Sequence, residues 1–285
     1  MLAQQRVDLE YRPMTEADVG NAHELSVALK WPHRFEDWAM LQRVAQGFVA
    51  LHNGRLVGSA FACHQGEFST IGLVIVSDDY QGKGIGRKLM EMAVGCIPPR
   101  TAVLNATVAG APLYAKMGFV SFGAVSQFQG QAQQPAPTDL KAGETCRALS
   151  EADHARVVEL ASAGTGMDRS VTLGDVLNDI EHAVGIERDG TLRAFATLRA
   201  FGRGLSIGPV VAENEDQAKH MIEQLLAKVP YAFVRIDIPS DCNLADWLED
   251  AGLKRVDTVT SMSMGKIPTP SQGVRQFALI TQAIG

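Results

Sequence analysis

The segment Val76-Ser77-Asp78-Asp79-Tyr80-Gln81-Gly82-Lys83-Gly84-Ile85-Gly86-Arg87-Lys88-Leu89 is the part of this chain best equipped to hold an anion. Three glycines at alternate positions precede a helical pattern. Such a turn leaves backbone N–H groups unpaired at a helix start and lets a ligand come close. A helix end adds roughly 0.3 to 1 kcal/mol toward a negative charge at an exposed site, and phosphate is the natural occupant. The Walker pattern G-x-x-x-x-G-K-[ST] fails, because Ser77 stands where its first glycine belongs and Gly84 follows Lys83. The dinucleotide pattern G-x-G-x-x-G fails at Arg87. What remains is Q-x-x-G-x-G.

The surrounding pattern positions this turn between a strand and a helix. Ser69 to Val76 is apolar on both faces, as in a central strand. Ile85, Leu89, Ala93 and Ile97 repeat every four residues, the spacing of one helical face. Upstream, Thr15 with Asp18 three residues on predicts a helix start, with the helix running to about Leu29. Asn53-Gly54 predicts a hairpin between strands at 47–51 and 56–62. A strand at 102–107 and a short helix ending in Leu113-Tyr114-Ala115-Lys116-Met117-Gly118-Phe119 follow.

Q-x-x-G-x-G between strand and helix, with L-Y-x-x-x-G-F after it, resembles the GNAT N-acetyltransferase family, where the first motif is the acyl-CoA pyrophosphate loop. The resemblance covers residues 6 to about 125 directly and the remainder through an internal repeat. It implies a mixed α/β (α+β) fold in two tandem copies, each a mixed central sheet flanked by helices. It also implies acetyl-CoA as co-substrate without a metal, and transfer of the acetyl group to a primary amine by direct attack in a ternary complex. By resemblance, cofactor contacts fall on Val74, Ile75, Val76, Gln81, Gly82, Lys83, Gly84, Ile85, Gly86, Arg87 and Asn105, and Tyr114 protonates the departing thiolate. Each feature also has a bland reading: a tight turn, a packing tyrosine, and in Gly118 a helix C-cap. A non-catalytic acyl-CoA sensor or interaction scaffold is the competing function. It would keep the glycine turn but has no need of Tyr114.

Attack on a thioester needs a neutral amine, whereas a lysine-like amine with a pKa of about 10.4 is mostly protonated at neutral pH. A donor such as the Val76 backbone N–H would polarise the carbonyl. The central strand offers no carboxylate as base, so the candidates are His33, His64, Glu67 or a water chain. Trp31 and Arg34, with Trp38 nearby, are candidates for recognising an anionic or aromatic acceptor, against a surface arginine beside core tryptophans. Asp168 and Arg169 hold the equivalent place in the second copy, which is expected to help wall the acceptor site. Cys63 lacks a visible basic partner, which argues against an acyl-enzyme route.

The repeat is read from Tyr11-Arg12-Pro13-Met14-Thr15-Glu16-Ala17-Asp18 and Cys146-Arg147-Ala148-Leu149-Ser150-Glu151-Ala152-Asp153, 135 residues apart. Asn53-Gly54 then matches Asp189-Gly190, Gly72 matches Gly208, and Gly118 matches Gly252. In this alignment Glu213 to Ile222 lies over the glycine turn, with Ala218, His220 and Ile222 for its glycines, and Leu248 replaces Tyr114. The second copy is therefore expected to keep the fold and lack the cofactor site.

A chain of 285 residues with 46% apolar content suits two domains, expected at 1–130 and 144–285 with a linker at 131–143. The glutamine-rich stretch from Ser126 to Gly143 reads as linker, and Val274 to Ile284 as a final strand. A net charge of -6 makes nucleic acid an unlikely partner. Four scattered cysteines suit a reducing compartment. Met1 to Arg6 carries no leader-like apolar core, and no run approaches the roughly 20 residues of a membrane span, so a soluble cytoplasmic protein is expected. A small-molecule amine is the expected partner. An amino acid, an antibiotic and a protein N-terminus make no distinguishable demand on the sequence, and oligomeric state is not encoded in any motif.

Overall fold

The computed structural model describes residues 8–97 and 100–285; Met1 to Arg6, read above as lacking a leader, lie outside them. The first half runs β1 (Leu9–Pro13), α1 (Val19–Ala28), α2 (Phe35–Val44), β2 (Gln46–His52), β3 (Arg55–Gln65), β4 (Phe68–Val76), α3 (Ile85–Gly95), β5 (Thr101–Ala106), α4 (Ala111–Lys116) and β6 (Val120–Gln131). The second repeats the order as β7 (Glu144–Ala148), α5 (His154–Thr165), α6 (Ser170–Val176), β8 (Ile180–Arg188), β9 (Thr191–Phe201), β10 (Gly204–Ala212), α7 (Glu215–Leu226), β11 (Phe233–Pro239), α8 (Ala245–Asp250) and β12 (Lys254–Met264), then adds β13 (Arg275–Ala278).

Local chemistry repeats with the order. Arg12 holds Asp18 through two bonds of 2.7 and 2.8 Å, and Asp18 Oδ2 accepts the Thr15 N–H at 2.8 Å. Arg147 holds Asp153 at 3.0 and 2.8 Å, and Asp153 accepts the Ser150 N–H at 2.9 Å. Both sites fix the entry of the chain into its first helix. Asn53 and Gly54 adopt φ 51° and 77°, and Asp189 and Gly190 adopt 53° and 69°, as a two-residue hairpin turn with right-handed strand twist requires.

The halves share one sheet of order β1-β2-β3-β4-β5-β12-β6-β11-β10-β9-β8-β7, with β13 on β10. The last strands are exchanged: β6 pairs with β11 from Phe233↔Gln131 to Pro239↔Val125, and β12 pairs with β5 from Thr260↔Ala106 to Met264↔Ala102. The sheet thus does not respect the spans 1–130 and 144–285. Ser126 to Gln131, expected as linker, is the C-terminal half of β6; its glutamines alternate with Phe128, which is fully buried in the second half's core. Within the expected linker, the stretch from Ala132 to Gly143 is the part that lacks helix and strand.

Apolar packing divides by face. Ile85, Leu89, Met90 and Ala93 of α3 pack on the first half of the sheet, and Ala218, Met221, Ile222 and Leu225 of α7 on the second. On the other face α1, α2, α5 and α6 of both halves share one core, centred on the buried Trp38, whose Nε1 donates to Ser26. Arg43 and Asp175 tie α2 to α6 by a fork of 2.8 Å bonds.

Candidate functional site

In both halves two neighbouring parallel strands separate partway along. β4 pairs with β5 from Phe68↔Thr101 to Ile71↔Leu104 and no further. At that point β4 bulges: two residues, Leu73 and Val74, oppose Ala60, Leu73 takes φ 47°, and the Ser59 hydroxyl donates to the Leu73 carbonyl at 2.9 Å. Beyond the bulge the β5-facing edge of β4 has no strand partner. Backbone groups alternate in direction along a strand, and the Ser77 N–H is bonded to Val57 on β3, so the Val74 and Val76 N–H groups turn to the open side.

A cleft of about 640 Å³ follows this edge, lined by Val74, Ile75, Val76, Gln81, Gly82, Gly84, Ile85, Gly86, Arg87 and Tyr114 among others. Gly82 and Gly84 have φ 74° and 81°, the left-handed region that side chains disfavour, and Gly84 caps α3 with no side chain to bond its first N–H groups. These donors are left for an anion. Lys83 is not among the residues lining the cleft: its ammonium folds back to the Asp79 carbonyl at 2.8 Å and over the Tyr80 ring. Tyr80, its hydroxyl 2.7 Å from His52 Nδ1, lines the cleft and was not singled out in the sequence.

Tyr114 is largely buried against Phe119, and burial pushes its hydroxyl up to about 12, so it stays protonated. Asn105 does not face the cleft. It sits on the other side of β5, where its amide donates to the Gln282 carbonyl at 3.0 Å and its oxygen accepts from Ser261.

A second pocket of about 200 Å³ adjoins the cleft: Trp31, Gly72 and Thr107 line both. Its other walls are Lys30, Pro32 and His33 after α1, Gln127 from the exchanged β6, and Phe201, Arg235, Asp257 and Gln282 from the second half. Gly72 is required by close approach, since a Cβ there would lie 2.6 Å from Ala283 Cα.

His33 is on this wall with its ring among Trp31, Trp38 and Phe201. Neither ring nitrogen is hydrogen-bonded among the described residues, and Nδ1 is wholly buried. Burial, opposed by Asp37 and reinforced by Arg235 and Arg199, lowers its pKa to about 4. The other proposed bases lie elsewhere. His64 pairs with Ser69 at the far end of β4, four residues and about 13 Å from Leu73. Glu67 is beyond it, in a surface pair with Lys266.

Arg34 is engaged in the α2 cap, its Nη2 3.0 Å from Asp37, and does not line the pocket. Arg169 is fully buried and donates to Gln65 and to the Ile284 and Gly285 carbonyls, and Asp168 caps α6 through the Ser170 N–H. The second half does wall the pocket, but not with this pair. Cys63 is also buried, donates to the Val44 carbonyl and has its pKa raised to about 11, which suits a core residue.

The second half has lost the equivalent cleft in two ways. Between β10 and α7 only Glu213 and Asn214 remain, so residues 215–222, aligned above with the glycine turn, are helix. Asn214 accepts from Gln217 N at 3.1 Å, and Glu213 is locked to Arg188 at 2.7 Å. The open edge is also filled: past Ile207↔Ile236, β10 pairs with β13 at Val210↔Ala278, Val211↔Gln276 and Ala212↔Arg275. The expected final strand is thus four residues long and docks on the second half. Leu248, buried, stands where Tyr114 does.

Family descriptions of the acetyltransferase (GNAT) domain match residues 44–121 and 157–278. The chain is 32% identical over 223 residues to the uncharacterized N-acetyltransferase YitH of Bacillus subtilis (strain 168), covering 77% of this chain and 78% of the relative. A crystal structure assigned as an acetyltransferase from Pyrococcus horikoshii superposes with a TM-score of 0.78 at 19% identity over 97% of this chain and 96% of that one. A tandem GNAT protein from the clavulanic acid biosynthesis pathway gives 0.62 at 17% identity over 93% and 100%. With the cleft along β4 open in one copy and its equivalent filled in the other, the chain belongs to the GNAT acetyltransferase family, as a tandem N-acetyltransferase.

Proposed function

We propose that the protein moves an acetyl group from acetyl-CoA to the primary amine of a small molecule by direct attack while both are bound. The observation that carries this reading is the wall common to donor cleft and acceptor pocket, formed by Trp31, Gly72 and Thr107. A thioester lying along β4 would there meet an amine in the pocket, and holding the two together supplies much of the rate. The Val74 and Val76 N–H groups are oriented to polarise the thioester carbonyl.

Of His33, His64 and Glu67, His33 alone is on the pocket wall, which it shares with the Asp257 carboxylate; neutral at pH 7, it takes the amine proton as the C–N bond forms. Tyr114 then gives its proton to the departing thiolate. The first half supplies the whole donor site in this reading, and the second half supplies acceptor walls. The test is turnover of Tyr114→Phe and His33→Asn beside an acetyl-CoA titration. Each variant is expected to lose on the order of 10²-fold in turnover while keeping its acetyl-CoA affinity. Unchanged turnover would remove the residue concerned from the mechanism, and absence of acetyl-CoA binding by the parent chain would overturn the reading itself.

A further inference from the structure

Arg235 is the most constrained charge in the acceptor pocket. Its Nε and Nη2 are held by Asp237 at 3.0 and 2.7 Å, and its guanidinium lies over the Phe201 ring, 5.2 Å from the centroid. Its side chain is 11% exposed and lines the pocket, and among the described residues Nη1 has no bond. A guanidinium fixed on one edge presents the other as a preset donor, and a planar carboxylate is its natural partner.

The duplication supplies an internal comparison. Ile71↔Leu104 and Ile207↔Ile236 mark the same pairing in the two halves, so Arg235 corresponds to Val103 and Asp237 to Asn105; one strand over, Phe201 corresponds to Gln65. Val103 and Asn105 line a matching cavity of about 730 Å³, walled also by Phe122, Val125 and Met167. That cavity adjoins the donor edge closed by β13. The arginine and the aromatic ring thus line the pocket that opens on the cleft along β4, with Asp237 holding the arginine, and Val103, Asn105 and Gln65 take the three corresponding positions in the first half; the matching cavity carries its own ion pair, Arg275 with Asp241, from elsewhere in the chain.

We infer that Arg235 anchors a carboxylate of the acceptor, so that the acceptor class is an amine that also carries a carboxylate, as an amino acid does. The inference rests on the proposed acetyl transfer. Arg235 touches the acceptor away from the reacting nitrogen, so its contribution falls on KM. A bound carboxylate would also offset the positive charge that Arg235 sets beside His33, leaving the imidazole a better proton acceptor.

The test is acetylation by the full chain of two matched trios: L-phenylalanine, L-phenylalaninamide and phenethylamine, and L-alanine, L-alaninamide and ethylamine. The amino acid of at least one trio is expected to exceed its amide and its amine at least 10-fold in kcat/KM, mainly through KM. In Arg235→Met the ratio should collapse toward one, and in Arg235→Lys it should be partly retained. An acetyl-CoA titration of each variant reports whether it is folded. Equal use of amino acid, amide and amine by the parent chain would overturn the inference while leaving acetyl transfer standing. Acetyl-CoA binding with none of the six probes acetylated would overturn it as well. Failure to bind acetyl-CoA would instead bring down the reading beneath it.

Discussion

Asn105 and Asp237 hold corresponding positions in the two halves, and both bond Gln282. The Asn105 amide donates to the Gln282 carbonyl at 3.0 Å, and the Gln282 amide donates to Asp237 Oδ1 at 3.3 Å. The segment after β13 therefore lies between the copies and floors the proposed acceptor pocket with Gln282 and Ala283. This explains why Asn105, which the family resemblance assigns to the cofactor, does other work here.

Gly72→Val should disable the acceptor pocket before the donor cleft. Even a Cβ would approach Ala283 Cα to 2.6 Å and its carbonyl to 2.7 Å, so the segment must move. Overpacking of this kind costs about 1–3 kcal/mol. In steady-state kinetics the acceptor KM should rise 10-fold or more, against a smaller change in acetyl-CoA affinity; an unchanged acceptor KM would contradict the described position of Ala283.

Gly84→Val should do the reverse. At φ 81° a side chain costs about 1–2 kcal/mol, most simply relieved by rearranging the turn. Acetyl-CoA affinity is expected to fall at least 10-fold by calorimetry with little change in melting temperature, because the turn is exposed. An affinity within twofold of the parent would show that the α3 N-terminus is not the phosphate site.

Acid should weaken the fold in two windows. The Arg12 fork and the Thr15 N–H hold Asp18 well below the usual carboxylate range, so its contribution is complete above the unfolded value of about 3.9 and is lost as pH falls further. His33 behaves oppositely to a paired histidine: burial lowers its pKa to about 4, so the unfolded chain binds the proton first and stability declines from pH 6.5 toward 4. Melting temperature followed from pH 7 to 3 should show both slopes, His33→Leu flattening the upper one and Asp18→Ala the lower. Asp18→Ala should cost about 1–2 kcal/mol at pH 7, and Asp153→Ala less, since Asp18 is buried and Asp153 is not.

What was legible in the sequence is what neighbouring residues decide. The Arg-x-x-x-x-x-Asp entry to each half, the Asn53-Gly54 turn, the glycine turn and Tyr114 all declare themselves within a dozen residues. The exchange of β6 and β12 does not, because each strand offers the same alternation to either partner and only the assembled sheet selects one. Most of the pocket walls were missed for a related reason: Trp31 was singled out, but Gln127, Phe201, Arg235 and Asp257 are brought to it by that exchange. A signal did exist in Phe233-Val234-Arg235-Ile236-Asp237-Ile238, where two opposite charges alternate with apolar residues on one face of a central strand. Arg34, Asp168 and Arg169 misled because sequence shows a charge but not its partner.

The filled edge of β10 predicts the stoichiometry of donor binding. An extended ligand joins a sheet by pairing with a free strand edge, and β4 has one beyond Ile71 whereas β10 gives its own to Ala278, Gln276 and Arg275. The α7 N-terminus is likewise occupied by Asn214 and faces the Glu213 carboxylate, which would repel a phosphate. Calorimetry with acetyl-CoA should therefore give one site per chain, and Gly84→Val should weaken that one site without exposing another. Two sites would mean that β13 yields its place to the ligand and that the second half is a working copy.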